Sequence, residues 1–194
     1  AADDAAGYFI SDQLRTYAVS LSQSTRNSND GISISQIAQG ALKEVYDILN
    51  DVKSKVIQAS NTSDDKTRGQ IQQDINGLID AVSKIFKDTE FNGLNLFSSG
   101  SAQTFTIHYG GRTNQELYIT STTAGAGSTT AASTNVYSYA ALVTLGKDSY
   151  TIDVTNQASA NASISTVDAL IRAVDDVAAK FGSYQIELEK IISN

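Results

Sequence analysis

Between Asp3 and Ser60 the chain holds no proline, and its apolar residues recur with the three-four rhythm of a helix. One run of this stripe is Leu14, Ala18, Leu21, Thr25, Ser28 and Ile32. It shifts phase near Gly31 and continues as Ile34, Ala38, Ala41, Val45, Ile48, Val52 and Val56. Asp12, Arg15, Gln23, Asn27, Lys43, Asp47 and Asp51 lie off it, so one narrow face is apolar, as in a coiled-coil seam. A helix of about 57 residues is roughly 85 Å long, and a compact domain of this chain's size has a radius of gyration near ~16 Å. The rest of the chain cannot wrap such an element. It is a rod that needs partners. Asn29-Asp30-Gly31 is its weak point, read as a tolerated kink costing ~1 kcal/mol in preference to a helix end.

Composition narrows the partners. A net charge of −7 argues against nucleic acid and against an anionic membrane surface. No apolar run approaches the ~20 residues of a membrane span. The chain has no cysteine, which rules out disulfides, thiolate metal sites and thiol catalysis. Helical patterning is present from the first residues and is still strong at Ile192, so both ends read as cut within helices.

After the rod, Asn61-Thr62-Ser63-Asp64-Asp65 breaks the pattern, and Ser63 or Asp64 is placed to cap a second helix. That helix, about Asp65 to Lys87, carries Ile71, Ile75, Leu78, Ile79, Val82, Ile85 and Phe86 on one face. The short loop before it folds it back antiparallel on the first. Asn92-Gly93 marks a tight turn, because both residues tolerate positive φ, and Phe91, Leu94, Leu96 and Phe97 are expected to plug the end of the helix pair. From Gln103 the period becomes two: Phe105, Ile107 and Tyr109, then Leu117 and Ile119. This predicts a β-hairpin with a four- or five-residue loop. Residues 121–135 are almost entirely Ser, Thr, Ala and Gly, a linker or surface excursion. Strand-like runs follow at Val136–Leu145 and Ser149–Val154. Ser163-Ile164-Ser165-Thr166 then offers capping chemistry for a third helix, about Thr166 to Ser193, striped by Val167, Leu170, Val174, Val177, Phe181, Tyr184, Leu188 and Ile191. In that arrangement both chain ends lie at one end of the rod.

The fold class is therefore mainly α with a small β part (α+β): a long antiparallel rod of three helices, a β-hairpin and a small variable β-rich insertion. The division is 1–120, two helices plus hairpin; 121–163, a surface-exposed insertion; and 164–194, the closing helix.

Catalytic constellations are missing. His108 is the only histidine and stands among threonines without companions for a metal. There is no Gly-rich phosphate loop, HExxH or GxSxG. The pairs Asp3-Asp4, Asp64-Asp65 and Asp175-Asp176 are caps or solvated faces, since adjacent helical residues point apart. Asn61-Thr62-Ser63 and Asn161-Ala162-Ser163 match the glycosylation pattern, which is common by chance. No catalytic, cofactor or metal residues are assigned, and the chain reads as a structural or interaction protein, not an enzyme.

Several stretches together resemble the core of bacterial flagellin: Ala1-Ala2-Asp3-Asp4-Ala5-Ala6-Gly7, Leu21-Ser22-Gln23 leading to Arg26-Asn27, and Asn29-Asp30-Gly31-Ile32-Ser33. Gly40-Ala41-Leu42 with Glu44-Val45 and Thr89-Glu90-Phe91-Asn92-Gly93 complete the set. The likeness is strong over residues 1–97, moderate over 165–194, and extends to the hairpin at 103–120. It implies a structural filament subunit, self-assembling by rod packing for motility. It also implies partners: other copies of the chain, and in the full-length form an export chaperone and cap proteins. The location implied is extracellular, in the flagellum, reached through the flagellar type III pathway, which requires no cleaved signal. The family's further terminal segments are absent, which would keep this form from polymerising. Two alternatives share parts of the pattern: the flagellin-like junction protein between hook and filament, and a surface-exposed homologue that binds a glycan or other ligand through 121–163.

In many flagellins an arginine and a leucine at the end of the first helix, with a glutamate on the second, bind Toll-like receptor 5. The resemblance places Asp51 at the arginine, Lys55 at the leucine and Asp74 at the glutamate. With the motif so altered, receptor binding is expected to be weak or absent.

Overall fold

The computed structural model describes residues 2–97, 104–110, 112, 114–120 and 152–193. The elements run α1 (Ala2–Ser60), α2 (Asp65–Asp88), β1 (Glu90–Phe91), β2 (Leu94–Asn95), β3 (Thr104–His108), β4 (Glu116–Thr120) and α3 (Gln157–Ser193). The expected α+β architecture of three rod helices with a hairpin is present.

α1 is one unbroken helix of 59 residues, about 88 Å at ~1.5 Å per residue, and it passes through Asn29-Asp30-Gly31 without ending. Apart from Ser60 at its end, its buried positions are Ser24, Ser28, Gly31, Ser35, Ala38, Leu42, Val45, Leu49, Val52, Val56 and Ala59, with Ile34 beside them. These advance by four and three alternately, so the seam keeps one phase throughout. The shift expected near Gly31 does not occur. Thr25 and Ala18 are exposed; the seam keeps the expected Ser28 but otherwise runs here through Ser24, Gly31 and Ser35, small residues that a hydrophobicity pattern passes over. Glycine at 31 is explained by close packing. A Cβ there would meet Leu188 Cδ1 at 2.7 Å and Ile107 Cγ1 at 3.1 Å.

The Asp64 carboxylate caps α2, accepting from Thr67 N at 2.9 Å and Lys66 N at 3.4 Å. A hydrogen bond from the Thr67 hydroxyl, with these amides, holds the Asp64 carboxyl below the usual carboxylate range. α2 then runs back along α1 with Ile71, Ile75, Ile79, Val82 and Phe86 buried. Beyond it, Asn92 (φ 51°) and Gly93 (φ 76°) form the two-residue turn that pairs Phe91 with Leu94. Leu96 and Phe97 plug the helix pair as expected and Phe91 is half-buried, but Leu94 is exposed. Phe97 meets Phe86 edge-on at 5.2 Å and Phe181 at 6.2 Å, joining α2 to α3 through one aromatic chain.

β3 and β4 pair antiparallel with Ile107 opposite Leu117 and Phe105 opposite Ile119. The connection spans residues 109–115, longer than the expected four or five, and Tyr109 N still donates to Gln115 O at 3.0 Å. Ile107 and Ile119 press on α1 at Gly31, so the hairpin occupies the flank that α2 leaves free.

α3 begins at Gln157, nine residues before the expected Thr166. The Asn156 side chain accepts from Ser159 N at 2.8 Å and caps it, while Ser163 lies buried inside the helix. Ser163 Oγ donates to Asp153 O at 2.9 Å and accepts from Asp153 N at 3.1 Å. Gln72 grips the same strap, donating to Ile152 O at 2.9 Å and accepting from Val154 N at 2.7 Å. Residues 152–163, assigned above to the insertion, thus belong to the rod, with Ile152, Val154 and Ala160 in the core. Residues 152–154 form no strand, and the expected strand residues 136–151 lie outside the described residues, as does 121–135.

Three predictions concern the helices. Leu49 is fully buried, so Leu49→Ala should cost ~2–5 kcal/mol and Leu49→Asp should unfold the rod, measured by thermal melting of the helical circular-dichroism signal. Gly31→Val should destabilise by ~1–3 kcal/mol through overpacking. Gly40→Ala meets nothing within 4 Å and should gain up to ~1 kcal/mol from helix propensity.

Candidate functional site

The contacts between α1 and α3 step in opposite directions along the two helices. Gly31 faces Leu188, Gln39 Nε2 donates to Gln185 Oε1 at 3.2 Å, Lys53 pairs with Asp168 at 2.7 Å, and Gln157 reaches Ser60 O. By that register Ser193 lies level with about Asn27 of α1. The helix from Gly7 to about Gln23 therefore extends past α3, roughly 25 Å of it, at 1.5 Å per residue.

The heptad seam does not stop where its cover stops. Stepping back from Ser24 by three and four gives Leu21, Tyr17, Leu14 and Ile10. They are 44%, 54%, 64% and 58% exposed. A shallow groove follows the same face between Ile10, Gln13, Leu14, Tyr17 and Ser20. Tyr8, Phe9 and Val19 are exposed on other sides. The sequence pattern included Leu14 and Leu21 but neither Ile10 nor Tyr17. Counting backwards at 3.5 residues from Leu42 and Leu49 finds both.

The three receptor-motif positions lie at the other end of the rod. Asp51 is exposed on α1, and Lys55 follows one turn later on the same face. Lys55 Nζ is bonded to Asp74 Oδ2 at 2.7 Å, an ion pair clipping α2 to α1. The structure therefore ties Lys55 to Asp74 and leaves Asp51 free of that bridge. His108 sits on β3, its Nδ1 3.4 Å from Glu116 Oε1 and its carbonyl accepting from Asn27 Nδ2 at 3.0 Å. Both contacts anchor the hairpin. Of the two glycosylation patterns, Asn61 lies exposed in the α1–α2 turn, and the second has its Ser163 buried. Among the described residues no group of three or more His, Cys, Asp or Glu is placed to hold a metal ion, and no helix is long and apolar enough to cross a membrane.

Residues 1–102 match the family model of the bacterial flagellin N-terminal helical region. The chain is 44% identical over 120 residues to a flagellin of Aquifex aeolicus (strain VF5), a match covering 61% of this chain and 23% of that protein. It is 33% identical over 216 residues to a flagellin of Bacillus subtilis (strain 168), covering 100% of this chain and 69% of that one. The match thus spans less than a quarter of the Aquifex protein's length. In the solved structures, Bacillus cereus flagellin shares the fold with a TM-score of 0.68 at 21% identity, over 88% of each chain. A family model covering more than half of the chain and a relative 33% identical along the whole of this chain agree: the chain belongs to the bacterial flagellin family.

Proposed function

We propose that this chain is a structural subunit of the bacterial flagellar filament, exported by the flagellar type III pathway and assembled outside the cell by packing of its rod against other copies. The observation that carries this reading is the match of residues 1–102 to the flagellin N-terminal helical region, in a chain that folds as a three-helix rod. A heptad-patterned rod packs on further helices through its apolar side chains, and burying each is worth ~1.5–3 kcal/mol. In the full-length protein an export chaperone and the filament cap are the further partners. The test is assembly of the full-length protein carrying Leu14→Glu and Tyr17→Glu, followed by electron microscopy. Filaments should be lost while the melting temperature of the 194-residue rod stays within a degree or two, since both side chains are already solvated. Normal filaments from the double variant would overturn the reading.

The receptor motif supports a second expectation. A receptor surface adapted to an arginine presents acidic groups, and Asp51 brings a like charge to it. The Lys55–Asp74 ion pair occupies two of the three positions with each other. Weak or absent signalling through Toll-like receptor 5 follows. Two lost contacts at ~2 kcal/mol each weaken binding by well over tenfold. Asp51→Arg with Lys55→Leu should restore part of it in a reporter-cell assay. Full potency of the unaltered protein would contradict this.

A further inference from the structure

A second heptad row runs beside the core seam. On α1, Ile37, Ala41, Glu44, Ile48, Asp51 and Lys55 follow one another at four and three residues. On α2, Asp74, Leu78, Ala81, Ile85 and Asp88 do the same. Antiparallel packing sets the two rows side by side. The Lys55–Asp74 bond joins them at one end, and at the other Ile37, Ala41 and Glu44 share a cleft with Lys84, Ile85 and Asp88. α3 packs on the opposite flank of α1, through Gln39 and Lys53. The rows therefore border a groove on the side of the helix pair away from α3.

The groove has an apolar floor and an acidic rim. Ala41, Ile48, Leu78, Ala81 and Ile85 are half-buried, and Ile37 is 41% exposed. Ala41 and Ala81, on opposite walls, are small enough to let another helix approach closely. Glu44, Asp51, Asp88 and Glu90 stand exposed along the margin, and among the described residues none of the four is in an ion pair. Against these carboxylates the margin carries Lys84, since Lys55 is already paired with Asp74.

We propose that this groove docks an amphipathic helix of a basic partner protein. Apolar residues at three-four spacing fill the floor, and Lys or Arg on both flanks of the docked helix meet the carboxylates. Ile37 to Asp51 spans about 21 Å at ~1.5 Å per residue, so the docked helix has about fourteen residues. A second copy of this chain is the poorer fit, because it carries a net charge of −7 and would bring carboxylates against carboxylates. The site thus goes beyond filament assembly, its occupant being a different protein. An interface of this size gives a weak, reversible contact that salt weakens further.

Fluorescence anisotropy with two labelled synthetic peptides of fourteen residues tests the site. Both carry leucine at the three-four positions, one with lysine and the other with glutamate on the flanks. The lysine-flanked peptide should bind the 194-residue chain at least about tenfold more tightly, and its affinity should fall as salt rises. Glu44→Lys with Asp88→Lys changes two exposed positions and should leave the melting temperature in place while reversing the preference. No binding up to millimolar peptide, equal binding of the two peptides, or an unchanged preference in the charge-reversed chain overturns the proposal. Sedimentation equilibrium of the unmodified chain covers the rival occupant. A dimer that Glu44→Lys with Asp88→Lys abolishes would assign the groove to a second copy and overturn it too.

Discussion

The constraint on which this molecule depends is the uninterrupted heptad phase of α1, which fixes where every other element can sit. Ala38, Leu42, Val45, Leu49, Val52, Val56 and Ala59 are all fully buried on one line. α2 and α3 occupy that line together over the lower half of the rod. Above the level of Asp88, α2 is gone, and the two β-ribbons take its place against α1 and α3. The change of partner is accompanied by a change of side chain. Leu, Val and Ile give way to Ser35, Gly31, Ser28 and Ser24, which let the hairpin and Leu188 approach the backbone closely. The hydroxyls of Ser24 and Ser35 donate back to the carbonyls of Ser20 and Gly31, which removes most of the cost of burying them. Ser28 Oγ has no partner among the described residues.

Charge adds little to this packing but decides details of placement. Lys53 reaches α3 through Asp168 and Lys55 reaches α2 through Asp74, so two lysines separated by one residue straddle the seam and clip both neighbours at one level. Each pair is partly exposed and contributes ~0–1 kcal/mol. Their effect is on register. Gln72 acts in the same way, its amide satisfying the backbone of Ile152 and Val154 as a neighbouring strand would.

How much of this was legible in the sequence follows from where hydrophobicity carries the signal. The helix–loop–helix order, the Asp64 cap, the Asn92-Gly93 turn and the pairing of β3 with β4 are written locally, in side chains whose preferences act within a few residues. Ser28 was read into the stripe, but the seam through Ser24 and Gly31 was not legible, because small residues announce close approach only once the approaching partner is known. The start of α3 was misplaced for a related reason. Ser163 has the chemistry of a cap, yet in the fold its hydroxyl is spent on Asp153, ten residues earlier, and Asn156 caps instead. Leu14 and Leu21 were read into the helical stripe, and it takes the structure to show them exposed. The altered receptor positions were read from resemblance, and their mutual ion pair needed the fold of α2 onto α1.

The places where the chain leaves and rejoins the rod set a length. Ile119, next to the end of β4, packs at the level of Gly31, and the strap beginning at Ile152 is held by Gln72 near the level of Lys55. These levels are about 36 Å apart along α1 at ~1.5 Å per residue. A fully extended chain advances ~3.3 Å per residue, so at least about eleven residues are needed to bridge them. Whatever occupies 121–151 in a relative of this protein, its first obligation is distance. Segments shorter than that limit would have to pull the hairpin off α1 or the strap off α2.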